Sequence, residues 1–294
     1  MTAEQRSSTT RLRTAGLIVH PGRPEARRAA TDAAERLASS GVTVIGCRDD
    51  EWQHEAVRLR PAERFAEGLD VVIVMGGDGT FLRAAFLTRD RKVPLAGVNL
   101  GRLGFLSEIE AADLPTAVDE LLAGAYEIEE RMTLAVDVRG PDGAVMASSW
   151  ALNEASVERT VPQRLIILEV RVGETIFANV PADALICATP TGSTAYAFSA
   201  GGPILSHLVD AILLVPVAPH SLFDRTLVVD PHETLTVSPV GGDNTCVVSL
   251  DGRTALEVPT GGSVEITQGS VPLRLARLKP FDFYARVREK FRLE

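Results

Sequence analysis

Residues 69–75 read LDVVIVM, a near-continuous apolar run, and they pass directly into GGDGT at 76–80. A run this short and this apolar is the mark of a strand buried on both faces of a parallel sheet. The flanking segments fit the same frame. AGLIV at 15–19 reads as a strand ended by the turn residues His20, Pro21 and Gly22. Pro24 to Ser40 is rich in Ala, Arg and Glu, with Pro at its start and Gly41 past its end, the asymmetry of a helix. VTVIG at 42–46 and PLAGV at 94–98 read as further strands; Phe81 to Thr88 and Leu114 to Ala123 read as helices, the second stopped by Gly124. Residues 47–68 are polar and irregular. Strands alternating with helices over short connections predict an α/β domain with a parallel sheet over 14–125.

From Tyr126 the texture changes to short β-rich segments, among them RMTLAVDVRG, LIILEVRV, ALICAT, AILLVPV, TCVVSL and SVEITQG, separated by PDG, GGD and DGR turns. This predicts a β-rich, β-sandwich-like second domain over 126–272. Residues 273–294 carry basic side chains among Phe281, Phe283, Tyr284 and Phe291 and read as a tail that docks back on the first domain, while 1–13 read as a disordered arm. Two domains also suit 294 residues, since single cores stop growing near roughly 250–300.

The net charge of −9 gives no general attraction to nucleic acid or to an anionic membrane, so neither is expected as a partner. A polyanionic ligand would need a local basic pocket. No apolar run approaches the roughly 20 residues that span a bilayer, and the first residues lack an apolar leader segment, so a cytoplasmic location is expected. Cys47, Cys187 and Cys246 are far apart with no CxxC pair, which reads as buried spectators in a reducing compartment. The five histidines show no metal-ligand spacing, so no protein-built metal site is expected.

Three segments carry candidate chemistry. In the first, Gly76, Gly77, Gly79 and Thr80 surround Asp78 between a buried strand and a helix start. Glycines there let backbone N–H groups approach phosphate oxygens, and the helix N-terminus adds donors and a positive dipole end. A carboxylate among phosphates is unfavourable unless it has a task, such as accepting the proton of an attacking hydroxyl. The same residues also suit a plain turn in which Asp78 caps the helix. Arg83 lies one turn on, on the face of Gly79, where it could neutralise a phosphate or sit solvated.

The second segment, TPTGSTAYAFSAGGP at 189–203, is dense in hydroxyls and glycines and nearly free of charge. It suits close approach to a ribose or phosphate, with Tyr196 available to a flat ring. The third is the pair Asn153 and Glu154, which could contact vicinal sugar hydroxyls or form a surface turn. GRLGF at 101–105 reads first as a glycine turn.

Taken in order, GGDGT, NLGRLGFL at 99–106, the Asn153–Glu154 pair, TPTGSTAYAFSAGGP and VAPHSLFDRTLV at 217–228 closely resemble the NAD kinase family, from residue 15 onward. The resemblance implies transfer of the γ-phosphoryl of ATP, or of polyphosphate, to the 2′-hydroxyl of the adenosine ribose of NAD. It also implies Mg²⁺ carried on the donor and a homodimer or homotetramer. It makes Asp78 the proton acceptor and Gly76, Gly77, Gly79, Thr80 and Arg83 nucleotide contacts. Asn153, Glu154, Arg164, Asp183, Thr191, Ser193, Thr194, Ala195, Tyr196, Ser199 and Arg253 match the remainder of the pocket. Ala184 stands where the family commonly has Gly, and Arg253 where many members carry Gln; Arg164 falls at a variable position. GGDGT alone is shared with lipid kinases, and a non-catalytic NAD-sensing module would keep the pocket without turnover. An acidic chain with no lipid-facing element argues against the first, and the intact Asp78 against the second.

Overall fold

The structure is a computed structural model that describes residues 11–101, 104–161, 165–222, 224–241 and 245–293. The chain divides into two compact units, one running to Glu130 and resuming at Pro272, the other spanning Arg131–Val271. The first unit opens with strands β1 (Thr14–Val19), β2 (Thr43–Cys47), β3 (Val57–Arg60), β4 (Val71–Gly76), β5 (Leu95–Asn99), β6 (Ile109–Glu110) and β7 (Glu127–Arg131). Between them lie helices α1 (Pro24–Ser39), α2 (Asp78–Thr88) and α3 (Leu114–Leu122). The strands run parallel in the order β3-β2-β1-β4-β5, with β6 also on β5. β1 and β4, the two apolar runs of the sequence, lie side by side in the middle, and every residue of β4 is buried.

Leu17, Val19, Ile73, Met75 and Val98 of the sheet form one core with Ala30 and Leu37 of α1 and Val118 and Leu121 of α3. Burial of these side chains, each worth roughly 1.5–3 kcal/mol for the larger aliphatics, fixes the helices against the sheet. Residues 47–68 hold the strand β3, which the apolar pattern does not reveal. It is a short edge strand in which Val57 and Leu59 alternate with Arg58 and Arg60, so only two apolar residues carry its pattern. Of the arm expected at 1–13, residues 1–10 lie outside the described residues. Leu12 is buried, and the N–H groups of Arg13 and Thr14 donate to the Asp70 carboxylate at 2.8 and 2.9 Å.

The second unit holds β8 (Leu134–Arg139), β9 (Val145–Ala151), β10 (Glu154–Arg159), β11 (Ile166–Val172), β12 (Thr175–Ala182) and β13 (Ala184–Ala188). The short helix α4 (Tyr196–Ser199) follows, then β14 (Ile212–Val217), β15 (Leu227–Val229), β16 (Leu235–Val240), β17 (Cys246–Leu250), β18 (Thr254–Val258) and β19 (Ser263–Gln268). They form two antiparallel sheets, β15-β14-β13-β10-β17-β18 and β12-β11-β16-β19-β8-β9. Val136, Leu168, Val237 and Ile266 from one sheet share a core with Val157, Leu185, Leu214 and Val248 from the other, the layering of a β-sandwich. Alternation is clear in β8, buried at every second residue; Pro181 is tolerated in β12 because that strand is at a sheet edge.

The chain then returns to the first unit as β20 (Leu273–Arg277) and helix α5 (Phe283–Phe291). β20 is a member of the parallel sheet, paired with β5 and followed by β7. The buried Arg277 anchors it, donating to Glu108 at 3.0 Å and to Glu129 at 2.8 Å while lying over the Phe281 ring. Asp282 caps α5 by accepting the Ala285 N–H at 2.9 Å.

Candidate active site

In the first unit the strand order steps outward one way from β1 and the other way from β4, so β1 and β4 flank the point where the winding reverses. Open parallel sheets bind ligands at such a point, beyond the carboxyl ends of the strands. Val19 and Met75 are in register there, and the His20 N–H donates to the Met75 carbonyl at 3.0 Å, after which the two chains separate. A cavity of about 570 Å³ opens beyond them. His20, Pro21 and Arg23 line it from the β1 side, Gly77, Asp78, Gly79, Thr80 and Arg83 from the β4 side, with Gly104 and Lys290 completing the described wall.

The GGDGT residues take distinct positions. Gly76 ends β4, Gly77 is the extended residue before α2, and Asp78, Gly79 and Thr80 form its first turn; the Thr80 N–H donates to the Gly77 carbonyl at 3.0 Å, and those of Asp78 and Gly79 have no partner within the helix. Asp78 does not cap α2 with its side chain. Its carboxylate reaches across to residues 104–106, accepting the Phe105 N–H at 3.2 Å and the Leu106 N–H at 3.3 Å. Gly104 is required there: a Cβ on it would stand 2.1 Å from Asp78 Oδ1. Gly104 and Phe105, from the stretch read as a glycine turn, thus form with Leu106 a cradle for the acid, whereas residues 102 and 103 of that stretch lie outside the described residues; the two fixed N–H groups orient both oxygens while leaving each a lone pair for a ligand.

Arg83 lines the cavity and is ion-paired with Asp50. Asp50 is 1% exposed and accepts the Val19 N–H at 2.6 Å, tying α2 to the end of β1. Burial pushes the Asp50 carboxyl above its ordinary range, and the Val19 N–H and Arg83 oppose that shift. Arg23, after β1, donates from Nη1 to the Leu100 carbonyl at 2.8 Å. Counting Arg23, Arg83 and Lys290 against Asp78 and Asp50, the described groups here sum to +1 in a chain of net charge −9. That is the local basic pocket a polyanion requires. Nothing in the spacing of Asp50, Arg23 or Lys290 announces their part, because each comes from a segment remote from GGDGT.

The second unit gathers the other candidates. Asn153 and Glu154 are buried rather than in a surface turn, at the start of β10. The Asp251 carboxylate accepts the N–H groups of Leu152, Asn153 and Glu154 at 2.8, 2.7 and 3.1 Å. Thr189 donates from its backbone to the Asn153 carbonyl at 2.9 Å and from its hydroxyl to the Leu152 carbonyl at 2.6 Å. Gly192 presses on the same backbone, for a Cβ on it would lie 2.0 Å from the Asn153 carbonyl oxygen. The hydroxyl-rich segment is therefore locked onto the Asn153–Glu154 pair.

Within that segment the roles divide. The Ser193 hydroxyl is fully buried, donating to the Pro190 carbonyl at 2.7 Å and accepting the Leu205 N–H at 3.0 Å. Thr191 is buried and accepts from Arg131 at 3.3 Å. Exposure falls on Thr194 and Ala195, which are half-buried, and on Tyr196 and Ser199. Asp183 is ion-paired with Arg159 at 3.0 Å, and Ala184 is buried at the start of β13. Arg253 is exposed in the turn that follows Asp251, and Arg164 lies outside the described residues.

Three carboxylates, Glu154, Glu158 and Asp183, act on Tyr196, whose hydroxyl is shifted upward first by burial and then by their charges. Glu154 is the most perturbed: burial, reinforced by the Asp251 charge, raises it to about 7, and a backbone N–H of Tyr196 opposes the shift. Its Oε2 is buried without a hydrogen-bond partner. All three cysteines are free and buried. No described helix is long and apolar enough to cross a membrane.

Comparison with known proteins covers both units. Residues 15–126 match the family described as ATP-NAD kinase N-terminal domain, and residues 152–278 match the ATP-NAD kinase C-terminal domain. The chain is 42% identical to NAD kinase 2 of Streptomyces avermitilis over 289 residues, covering 97% of this chain and 96% of that protein. It is 41% identical to an NAD kinase of Corynebacterium jeikeium, covering 94% of this chain and 87% of that protein. Among solved structures, an NAD kinase from Archaeoglobus fulgidus in complex with ATP superposes with a TM-score of 0.71 at 26% identity, covering 95% and 97% of the two chains. A yeast NADH kinase complexed with NADH gives 0.89 at 22% identity, covering 97% and 89%, a likeness of fold alone. The first unit and the second thus match the two domains of one family, and the chain belongs to the NAD kinase family.

Proposed function

We propose that the protein phosphorylates NAD, transferring the γ-phosphoryl group of ATP to the 2′-hydroxyl of the adenosine ribose to give NADP, with Asp78 as general base. The observation that carries this reading is the Asp78 carboxylate, oriented by the Phe105 and Leu106 N–H groups in a cavity of net positive charge. A residue so fixed can accept the ribose proton as the oxygen attacks in line, and the first-turn amides of α2 and the cavity cations hold the donor's charge. Asn153 and Glu154 serve the dinucleotide, with Asp183, Thr194, Ala195, Tyr196 and Ser199 around it. Thr191 and Ser193 act from within, keeping that segment in shape.

Among the described residues no three of His, Cys, Asp and Glu gather into a metal cage. Asp78 is a hard oxygen donor on the cavity wall, which fits Mg²⁺ carried mainly by donor phosphates with one protein carboxylate beside it. When bound, such an ion neutralises charge on the donor phosphates. A cytoplasmic homodimer or homotetramer accompanies this reading. The lipid-kinase alternative rests on GGDGT alone, whereas the matched family spans both units.

The direct experiment is to incubate the purified protein with NAD, Mg²⁺ and either ATP or polyphosphate and to measure NADP. Formation of NADP is the expected result; binding of NAD without turnover would favour a sensing module and overturn the reading.

A further inference from the structure

We propose that Glu158 makes the dinucleotide site selective for the oxidised form, its charge favouring the cationic nicotinamide ring of NAD over the neutral ring of NADH. This rests on the kinase reading above and adds to it a residue outside the Asn153–Glu154 pair and the hydroxyl-rich segment.

Side chains of β10 alternate between the two faces of its sheet. Ala155 and Val157 enter the sandwich core, which leaves Glu154, Ser156 and Glu158 on the other face. Their cross-strand partners in β13 are Ala188, Ile186 and Ala184, and directly opposed residues share a face. Ile186 and Ala188 pack with Ala197 of α4, so that helix lies on the face that carries the acids. Tyr196, the residue before Ala197, donates its backbone N–H to the Glu154 carboxylate. Asp183 precedes the partner of Glu158, and its carbonyl accepts the Arg159 N–H at 3.2 Å. One sheet face therefore gathers Glu154, Glu158 and Asp183 beside Tyr196, and all three charges act on the Tyr196 hydroxyl.

The charges of this group are not balanced within it. Asp183 is paired with Arg159 at 3.0 Å, whereas Glu158 accepts the Ser156 hydroxyl and has no ion-pair partner among the described residues. Glu154 is 7% exposed, and its Oε2 is buried without a hydrogen-bond partner. Three carboxylates against one guanidinium sum to −2, or to −1 when Glu154 is protonated. Tyr196 adds an aromatic ring that is 41% exposed. Unpaired carboxylates beside an accessible ring suit an aromatic cation and disfavour an anion. The nicotinamide ring is the one part of NAD that carries positive charge, and reduction to NADH removes that charge. Glu158 is singled out within the group because Asp183 has its own cation and Glu154 is held by the Tyr196 N–H.

Steady-state kinetics of the parent, Glu158→Gln and Glu158→Asp, each with NAD and with NADH as acceptor, test the proposal. The parent should prefer NAD. Removing one carboxylate charge beside a cation predicts that Glu158→Gln lowers the ratio of kcat/KM for NAD to that for NADH by about fivefold or more. The loss should appear in KM for NAD, while KM for NADH does not rise. Glu158→Asp, which keeps the charge, should retain most of the preference. A parent that uses both acceptors equally, a parallel rise of both KM values in Glu158→Gln, or loss of the preference in Glu158→Asp would each overturn it. If the parent phosphorylates neither dinucleotide, the kinase reading fails on its own. Calorimetric titration with NAD and NADH then still decides: tighter binding of NAD that Glu158→Gln weakens about fivefold supports the charge contact, and equal affinities or no binding refute it.

Discussion

The two units each hold a carboxylate among their candidate residues, in opposite surroundings. Asp78 is half-buried at the mouth of a cavity, with a backbone N–H on each oxygen and cations around it. Glu154 is buried beside a second acid, Asp251, which takes the three local N–H groups for itself. The first arrangement fixes the direction of its acid with two N–H groups, as the proposed general base requires. The second raises its acid to about 7, where its protonation state depends on its neighbours. The contrast follows from architecture: parallel strand ends leave a crevice with free amides, whereas a sandwich rim forces acids from separate strands together.

The contrast can be broken first at Asp78. Asp78→Asn keeps an oxygen for one of the two N–H groups but cannot accept a proton, so kcat should fall by about 10²–10⁴-fold with the fold retained. Circular dichroism and NADP formation check this pair of outcomes. Next is Asp251→Ala, which strips the Leu152, Asn153 and Glu154 N–H groups of their acceptor. Burying such donors should lower unfolding free energy by roughly 3 kcal/mol, read by denaturant melts. In the first unit, Gly104→Ala should reduce kcat by about tenfold to a hundredfold by displacing the acid, since small misplacements in a reactive geometry are that costly. Its thermal midpoint should move little.

The smallest effects are expected at Glu154. Its folded pKa, about 7, lies above the unfolded value near 4.5, so the folded state binds the extra proton between those limits. Its contribution therefore turns unfavourable as pH rises from about 4.5 through 7. Glu154→Gln should raise the melting midpoint at pH 8 and leave it unchanged near pH 4.5. If the ionised form accepts sugar hydroxyls, KM for NAD in the parent should fall a few-fold as pH passes through 7, and the variant should lose that dependence. A pH-independent KM in the parent would remove the contrast.

The same division explains what could be read in advance. LDVVIVM and GGDGT are contiguous, so the buried strand, the turn and the acid lie in one window of sequence. The switch point itself needs only the order of neighbouring strands. By contrast, Asp251 meets Glu154 across 97 residues, and its DG turn looks like any other. Asp50 and Arg83 meet across 33, and Phe105 meets Phe291 only through a helix near the other end of the chain. Thr191 and Ser193, read as pocket residues along with Tyr196 and Ser199, are buried, and hydroxyl-rich segments look alike in sequence whether their hydroxyls face inward or outward. Burial, which composition cannot reveal, separates them from Tyr196 and Ser199.

The most direct test of the central claim is a crystal structure of the Asp78→Asn protein with NAD, ATP and Mg²⁺ bound. The account predicts the side-chain oxygen or nitrogen of residue 78 within about 2.6–3.2 Å of the adenosine ribose 2′-oxygen, or one water away. A well-ordered dinucleotide whose 2′-oxygen lies out of reach of that side chain, with another group beside it, would contradict the account.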